Sequence, residues 1–275
     1  MNDHQTGARR GRPRSPDRND DSQDTVQALA RGLGLLEVLA ANAHGVLLTD
    51  LARQANLAAS TTHRLLTTLE RAGFAELEEP AGLWRVGVKT VSVGSAFIRG
   101  RDMVNQARSY MRDLTEKSGE TSNLAIERDD AAVYLAQVES SAMVRAFSRL
   151  GDRVPLTCSG VGLALLSRKS EPELSALITR AGLPALTANS IHSRAALLKA
   201  LDKVRRQGYV IDDEANVAGM RCVAAPLFDA WSDVVAAISI SGPSGRLTPD
   251  RLDGLGRLVA DTAAAITTRI GGRVP

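Results

Sequence analysis

The feature that most constrains the fold lies between residues 49 and 73, where two short helical segments flank a four-residue turn. Thr49-Asp50-Leu51-Ala52-Arg53-Gln54-Ala55 opens on Thr49, a good N-cap, and runs to Asn56. The turn Asn56-Leu57-Ala58-Ala59 leads to a second N-cap candidate, Ser60, which begins a helix through Arg71 that Gly73 stops. Leu51, Ala52, Ala55, Leu57, Leu65, Leu66 and Leu69 supply one apolar face. A preceding helix, Thr25–Ala41, carries Val26, Leu29, Leu33, Leu36 and Leu39 and would cover that face. Helix, short turn, helix is the layout in which the second helix enters a DNA major groove.

The surface chemistry agrees. Ser60, Thr61, Thr62, His63 and Arg64 at the start of the second helix are small, polar or basic, as groove entry requires. Together with Thr49 they are the expected phosphate and base-edge contacts. After Gly73, Phe74–Glu79 and Leu83–Val88 flank the turn Pro80-Ala81-Gly82 and predict a two-stranded wing, with Trp84 as a packing residue. Glu76, Glu78 and Glu79 would repel phosphate, so the wing is expected to add little affinity. His63 has no other His or Cys nearby in sequence and is not expected to bind metal.

The net charge of +3 and pI near 9.1 become informative once located. Residues 24–90 are net −1, whereas Arg9, Arg10, Arg12, Arg14 and Arg18 crowd into ten residues. Residues 1–23 are polar and aperiodic and are expected to be a disordered basic arm. Within it, Arg10-Gly11-Arg12-Pro13-Arg14 is similar to an AT-hook. Gly11 allows close approach to a minor groove, Pro13 keeps the chain extended, and Arg10, Arg12 and Arg14 meet its negative potential.

Beyond the first domain the pattern changes. A linker helix is expected over 90–118, with Met103, Val104, Ala107, Tyr110, Met111 and Leu114 on one side. From 119 to 273, strand-like runs occur at 123–126, 132–136, 143–147, 209–211, 222–228 and 234–240, with helices near 160–168, 171–182 and 193–207. A last helix starts at Thr248-Pro249, with Pro at its first position. Strands grouped around central helices predict an α+β domain. Cys158 and Cys222 are too few for a disulfide scaffold or a four-cysteine zinc site. No apolar run is long enough for a membrane span, and the N-terminus lacks the apolar segment of a secretory signal. No membrane association is expected, and the cytoplasm is the expected compartment.

Over about 24–270 the sequence resembles the IclR family of bacterial transcriptional regulators. The stretches carrying the resemblance are Leu51-Ala52-Arg53 with Ser60–Leu66, Gly119–Leu124, Gly151–Leu156, Arg206-Gln207-Gly208-Tyr209 with Asp212-Asp213-Glu214, and Gly219–Pro226. The resemblance implies an N-terminal winged helix-turn-helix (24–89) joined by a linker helix to a GAF-like effector-binding domain (119–273). It also implies a homodimer or homotetramer, an operator in double-stranded DNA, and a small organic acid that modulates binding. Among members sensing small 2-oxo acids such as glyoxylate, an Asp, a Cys and two Ser line the pocket, and the corresponding positions are Asp212, Cys222, Ser239 and Ser241.

The residues add to that implication. Ser239 and Ser241, two apart, share one face of an otherwise apolar strand. Backbone N–H groups at Val161, Gly162 and Leu163, where a helix begins, are candidates to hold a carboxylate. Leu163 stands where the family commonly has Lys, which favours a small monoanion. Cys222 is read as a pocket wall, with a reversible thiohemiacetal or a buried hydrophobe as alternatives. No cofactor is implied. Two other functions compete: an enzyme with Cys222 or Cys158 activated by His192, and an architectural DNA-binding protein acting through its arm.

Overall fold

The structure, a computed structural model, describes residues 26–99, 102–143 and 148–275. Arg10, Arg12 and Arg14 lie outside these residues, as do residues 144–147 of the expected strand at 143–147; Met143 itself is in no strand. The chain divides into two units, residues 1–96 and 97–275.

In the first unit, α1 (Gln27–Ala41), β1 (Val46–Leu47), α2 (Leu48–Gln54) and α3 (Ala59–Arg71) precede the hairpin β2 (Ala75–Glu78) and β3 (Leu83–Val86). Leu35, Leu39, Leu51, Leu66 and Trp84 form its core, so Trp84 packs as its position predicted. β1 is a third strand, pairing antiparallel with β3 through Val46↔Trp84. Strand β1 runs directly into α2, so sheet pairing fixes the chain's entry and Leu47, not Thr49, occupies the N-cap. Likewise α3 begins one residue before the expected cap: Ala58 is the N-cap and Ser60 lies inside the helix. Side-chain capping was the wrong criterion at both starts, since neither N-cap makes a side-chain hydrogen bond.

The described residues of 90–118 are helical on both sides of positions 100–101. α4 (Lys89–Arg99) is followed by α5 (Asp102–Ser118), which buries Val104, Ala107, Met111 and Leu114 in the core of the second unit. That unit continues with β4 (Thr121–Arg128), β5 (Ala131–Val138), β6 (Arg153–Pro155), α6 (Gly160–Leu166), α7 (Glu171–Ala181) and α8 (Arg194–Gln207). It ends with β7 (Val210–Asp213), β8 (Met220–Phe228), β9 (Val234–Pro243) and α9 (Pro249–Arg269). The six strands form one antiparallel sheet in the order β6-β5-β4-β9-β8-β7.

Alternate residues of the central strands separate two cores, because successive side chains point to opposite faces. Leu124, Val223, Ala225, Ile238 and Ile240 pack with α5 and α9. Ala125, Ala224 and Ala237 face α6, α7 and α8. The two glycines of α6 permit its close seat. A Cβ at Gly162 would lie 2.4 Å from the Leu156 carbonyl oxygen, and one at Gly160 would lie 2.8 Å from the Cys222 sulfur. No helix among the described residues is long and apolar enough to cross a membrane.

Candidate functional site

In the first unit, Ser60, His63 and Arg64 are exposed on α3, Thr61 is half-buried beside them, and Thr49 is exposed on α2. Thr62 is the exception among the expected DNA contacts. Its i, i+4 spacing to Leu66 places it on the inner face, where it is fully buried and donates its hydroxyl to the Ala58 carbonyl at 3.1 Å. Thr62 therefore holds the helix rather than presenting to a groove. On the wing, Glu76, Glu78 and Glu79 are exposed, and Glu78 pairs with Arg85 at 2.6 Å.

In the second unit, a cavity of about 320 Å³ opens between the α6 face of the sheet and the start of that helix. Asp212, Cys222 and Ser241 line it, brought together by register: Asp212 pairs with Cys222 across β7–β8, and Cys222 with Ser241 across β8–β9. Ser239 lies one step further along the same face and is fully buried beneath. Tyr134, Ser148, Ser159, Gly160, Asn216, Val217, Met220 and Arg221 complete the lining. These residues form no local pattern in the sequence and meet only through the fold.

The electrostatics follow from burial. Asp212 is only 5% exposed and its carboxyl is pushed up to about 6 by desolvation. Hydrogen bonds from Ala215 N–H at 2.7 Å and Gly160 N–H at 3.2 Å oppose that rise without cancelling it. Cys222 is pushed up to about 12 by burial, with the charge of Asp212 adding to it. Ser241, Ser239 and the Val161 N–H face its sulfur and would favour a thiolate, but desolvation prevails. Cys158, buried and also near Asp212, is pushed up to about 11. The phenol of Tyr134 is raised by burial and then by Cys222 and Asp212. At neutral pH the cavity thus offers hydroxyls, a thiol and the largely ionised Asp212 carboxylate, while Arg221 is engaged by Asp213 at 2.6 Å and two backbone carbonyls. Both cysteines are neutral thiols and His192 is exposed in its loop, so neither thiol is activated as a nucleophile.

The N–H groups at the start of α6 are mostly committed. Gly162 N–H is capped by the Ser159 hydroxyl at 3.2 Å, and Leu163 N–H closes the first helical turn on the Ser159 carbonyl at 2.9 Å. Val161 N–H faces the Cys222 sulfur, and the Gly160 N–H holds Asp212. Of the three N–H groups expected to hold a ligand carboxylate, those of Gly162 and Leu163 are thus bonded within the chain, while that of Val161 points at the Cys222 sulfur in the cavity wall. Among the described residues, no three His, Cys, Asp or Glu side chains gather as a metal site.

The family model for the IclR helix-turn-helix domain matches residues 28–79, and that for the bacterial transcriptional regulator IclR C-terminal matches 95–268. HTH-type transcriptional repressor AllR of Escherichia coli (strain K12) is 41% identical over 263 residues, covering 96% of each chain. The crystal structure of the Thermotoga maritima IclR superposes with a TM-score of 0.76 at 27% identity, covering 88% of this chain and 98% of that one. An IclR homologue from Microbacterium hydrocarbonoxydans, crystallised with 4-hydroxybenzoate, shares the fold with a TM-score of 0.76 at 22% identity, covering 88% and 98%.

Proposed function

The chain belongs to the IclR family, as a DNA-binding transcriptional regulator with a small-molecule effector domain and not an enzyme, and from that premise we propose that it represses a promoter under the control of glyoxylate or a near relative such as pyruvate. The observation that carries the effector reading is the small cavity in which Asp212, Cys222 and Ser241 meet over Ser239. Its size lies at the lower end for ligand sites, which supports a small acid over a large one. Arg221, the one cation lining it among the described residues, is already paired, which supports a monoanion held by hydroxyls over a dianion.

The operator is held by Ser60, Thr61, His63 and Arg64 of α3, by Thr49, and by Arg10, Arg12 and Arg14 of the arm. Residues 90–118 join the DNA-binding unit to the effector unit. The chain works in the cytoplasm as a homodimer or homotetramer. Exposed Leu29 and Leu33 on one side of α1, with exposed Val26 at its N-cap, support assembly with a second copy.

A shift assay on the promoter beside its own gene, with and without two- to four-carbon acids, tests the reading alongside calorimetry on the same acids. The expected result is saturable binding of glyoxylate or pyruvate and an altered shift at the same concentrations. Saturable binding confined to aromatic acids would overturn the effector assignment.

A further inference from the structure

Three buried side-chain atoms among the described residues have no hydrogen-bond partner, and two of them, Asn123 Nδ2 and Ser239 Oγ, belong to residues paired directly across β4–β9. Direct cross-strand partners share a face of the sheet. The adjacent pair on that face is Thr121 with Ser241, and Ser241 lines the cavity. Asn123 is 1% exposed and Ser239 fully buried. The amide oxygen of Asn123 is well served, accepting from Gln137 Nε2 at 2.9 Å and Ser148 Oγ at 3.1 Å. Gln137 also donates to Ser148 at 2.6 Å, and Ser148 lines the cavity. The neutral Cys222 thiol beside Ser239 is too weak an acceptor to satisfy its hydroxyl.

Burying a donor without an acceptor is unfavourable, and two on one rung below a ligand cavity call for an acceptor brought from outside. We propose that Asn123 is a specificity-determining residue of the effector site, its Nδ2 and the Ser239 hydroxyl together receiving the carboxylate of a small 2-oxo acid. This rests on the functional reading above and assigns the orientation it leaves open. Asn123 on β4 and Cys222 on β8 flank β9, two strand spacings of roughly 10 Å in all. After both side chains reach inward, the gap suits a molecule of a few heavy atoms. The carboxylate lies toward Asn123, away from the like charge that Asp212 carries when ionised. The carbonyl end lies toward Cys222 and Asp212, where the hydroxyls of its hydrate find an acceptor.

Asn123→Asp tests this because one carboxylate oxygen keeps the bonds to Gln137 and Ser148 while the other replaces the free donor. Calorimetry at pH 8 compares glyoxylate with its neutral amide on the full-length protein. The native chain is expected to prefer the acid. The variant loses at least tenfold in glyoxylate affinity and keeps or gains affinity for the amide, inverting the preference. Ser239→Ala deletes only an unpartnered hydroxyl, so it should melt like the native chain yet bind glyoxylate several-fold more weakly, guarding against a variant that fails to fold. An unchanged acid-to-amide ratio in Asn123→Asp, or an equal loss for both ligands, overturns the proposal while leaving the effector reading intact. Failure of the native chain to bind any small acid overturns both.

Discussion

Asp212→Asn separates the stability consequence of a buried carboxyl from the contacts it makes. In the folded chain Asp212 titrates near 6 against an ordinary value of 3.8. At 1.36 kcal/mol per unit, ionising it in place costs about 3 kcal/mol relative to the unfolded chain. Because the folded pKa is the higher one, the folded state binds more protons between these values, and stability falls as pH rises through them. The contribution is fully present below pH 4 and lost above pH 6. Between pH 4.5 and 7.5 the loss is about 2 kcal/mol by the same linkage relation. Asparagine does not titrate, so its variant lacks this slope whatever the exchange costs at the bonds from Ala215 and Gly160. Urea denaturation of the full chain, with separate transitions fitted for the two units, reads the difference between native and variant at the two pH values. The native chain should lose about 2 kcal/mol relative to the variant across that interval. Parallel pH profiles would refute the burial argument.

Three further outcomes follow from other parts of the molecule. Gly162→Ala drives a Cβ into the Leu156 backbone, which cannot rotate away as a side chain would, so the second unit should lose about 2 kcal/mol or more in denaturant titrations; an unchanged midpoint would show that α6 is not tightly seated. Arg64→Ala should weaken operator binding and reduce the slope of log affinity against log salt by about one, as measured by fluorescence anisotropy. Deleting residues 1–18 should weaken binding with site preference retained, and complete loss of binding would favour the architectural reading in which the arm acts alone.

Much of the organisation was legible in the sequence because it depends on local periodicity. The apolar spacing of 51–69 identified the paired helices, and most of the short apolar runs after 119 became strands of one sheet. Spacing also placed Ser239 and Ser241 on one face, since alternation is a property of any strand. The basic arm likewise owes its reading to composition, within residues that the structure does not describe.

Other properties required partners remote in sequence. Thr62 reads as a groove contact by residue type, but it shares the face of Leu66 and is buried by what packs there, and no polar side chain caps the start of either helix. The N–H groups of Gly162 and Leu163 looked available until Ser159 was seen to occupy both. Asn123 carried a weak signal, a polar side chain two positions from Thr121 in a strand, yet its unused donor depends on the β4–β9 register and on Gln137 and Ser148. Most helices and strands, and the types of polar group available, follow from nearest neighbours along the chain. Only the tertiary structure decided which of those groups were already satisfied, because hydrogen bonds and desolvation are settled by residues that meet in space.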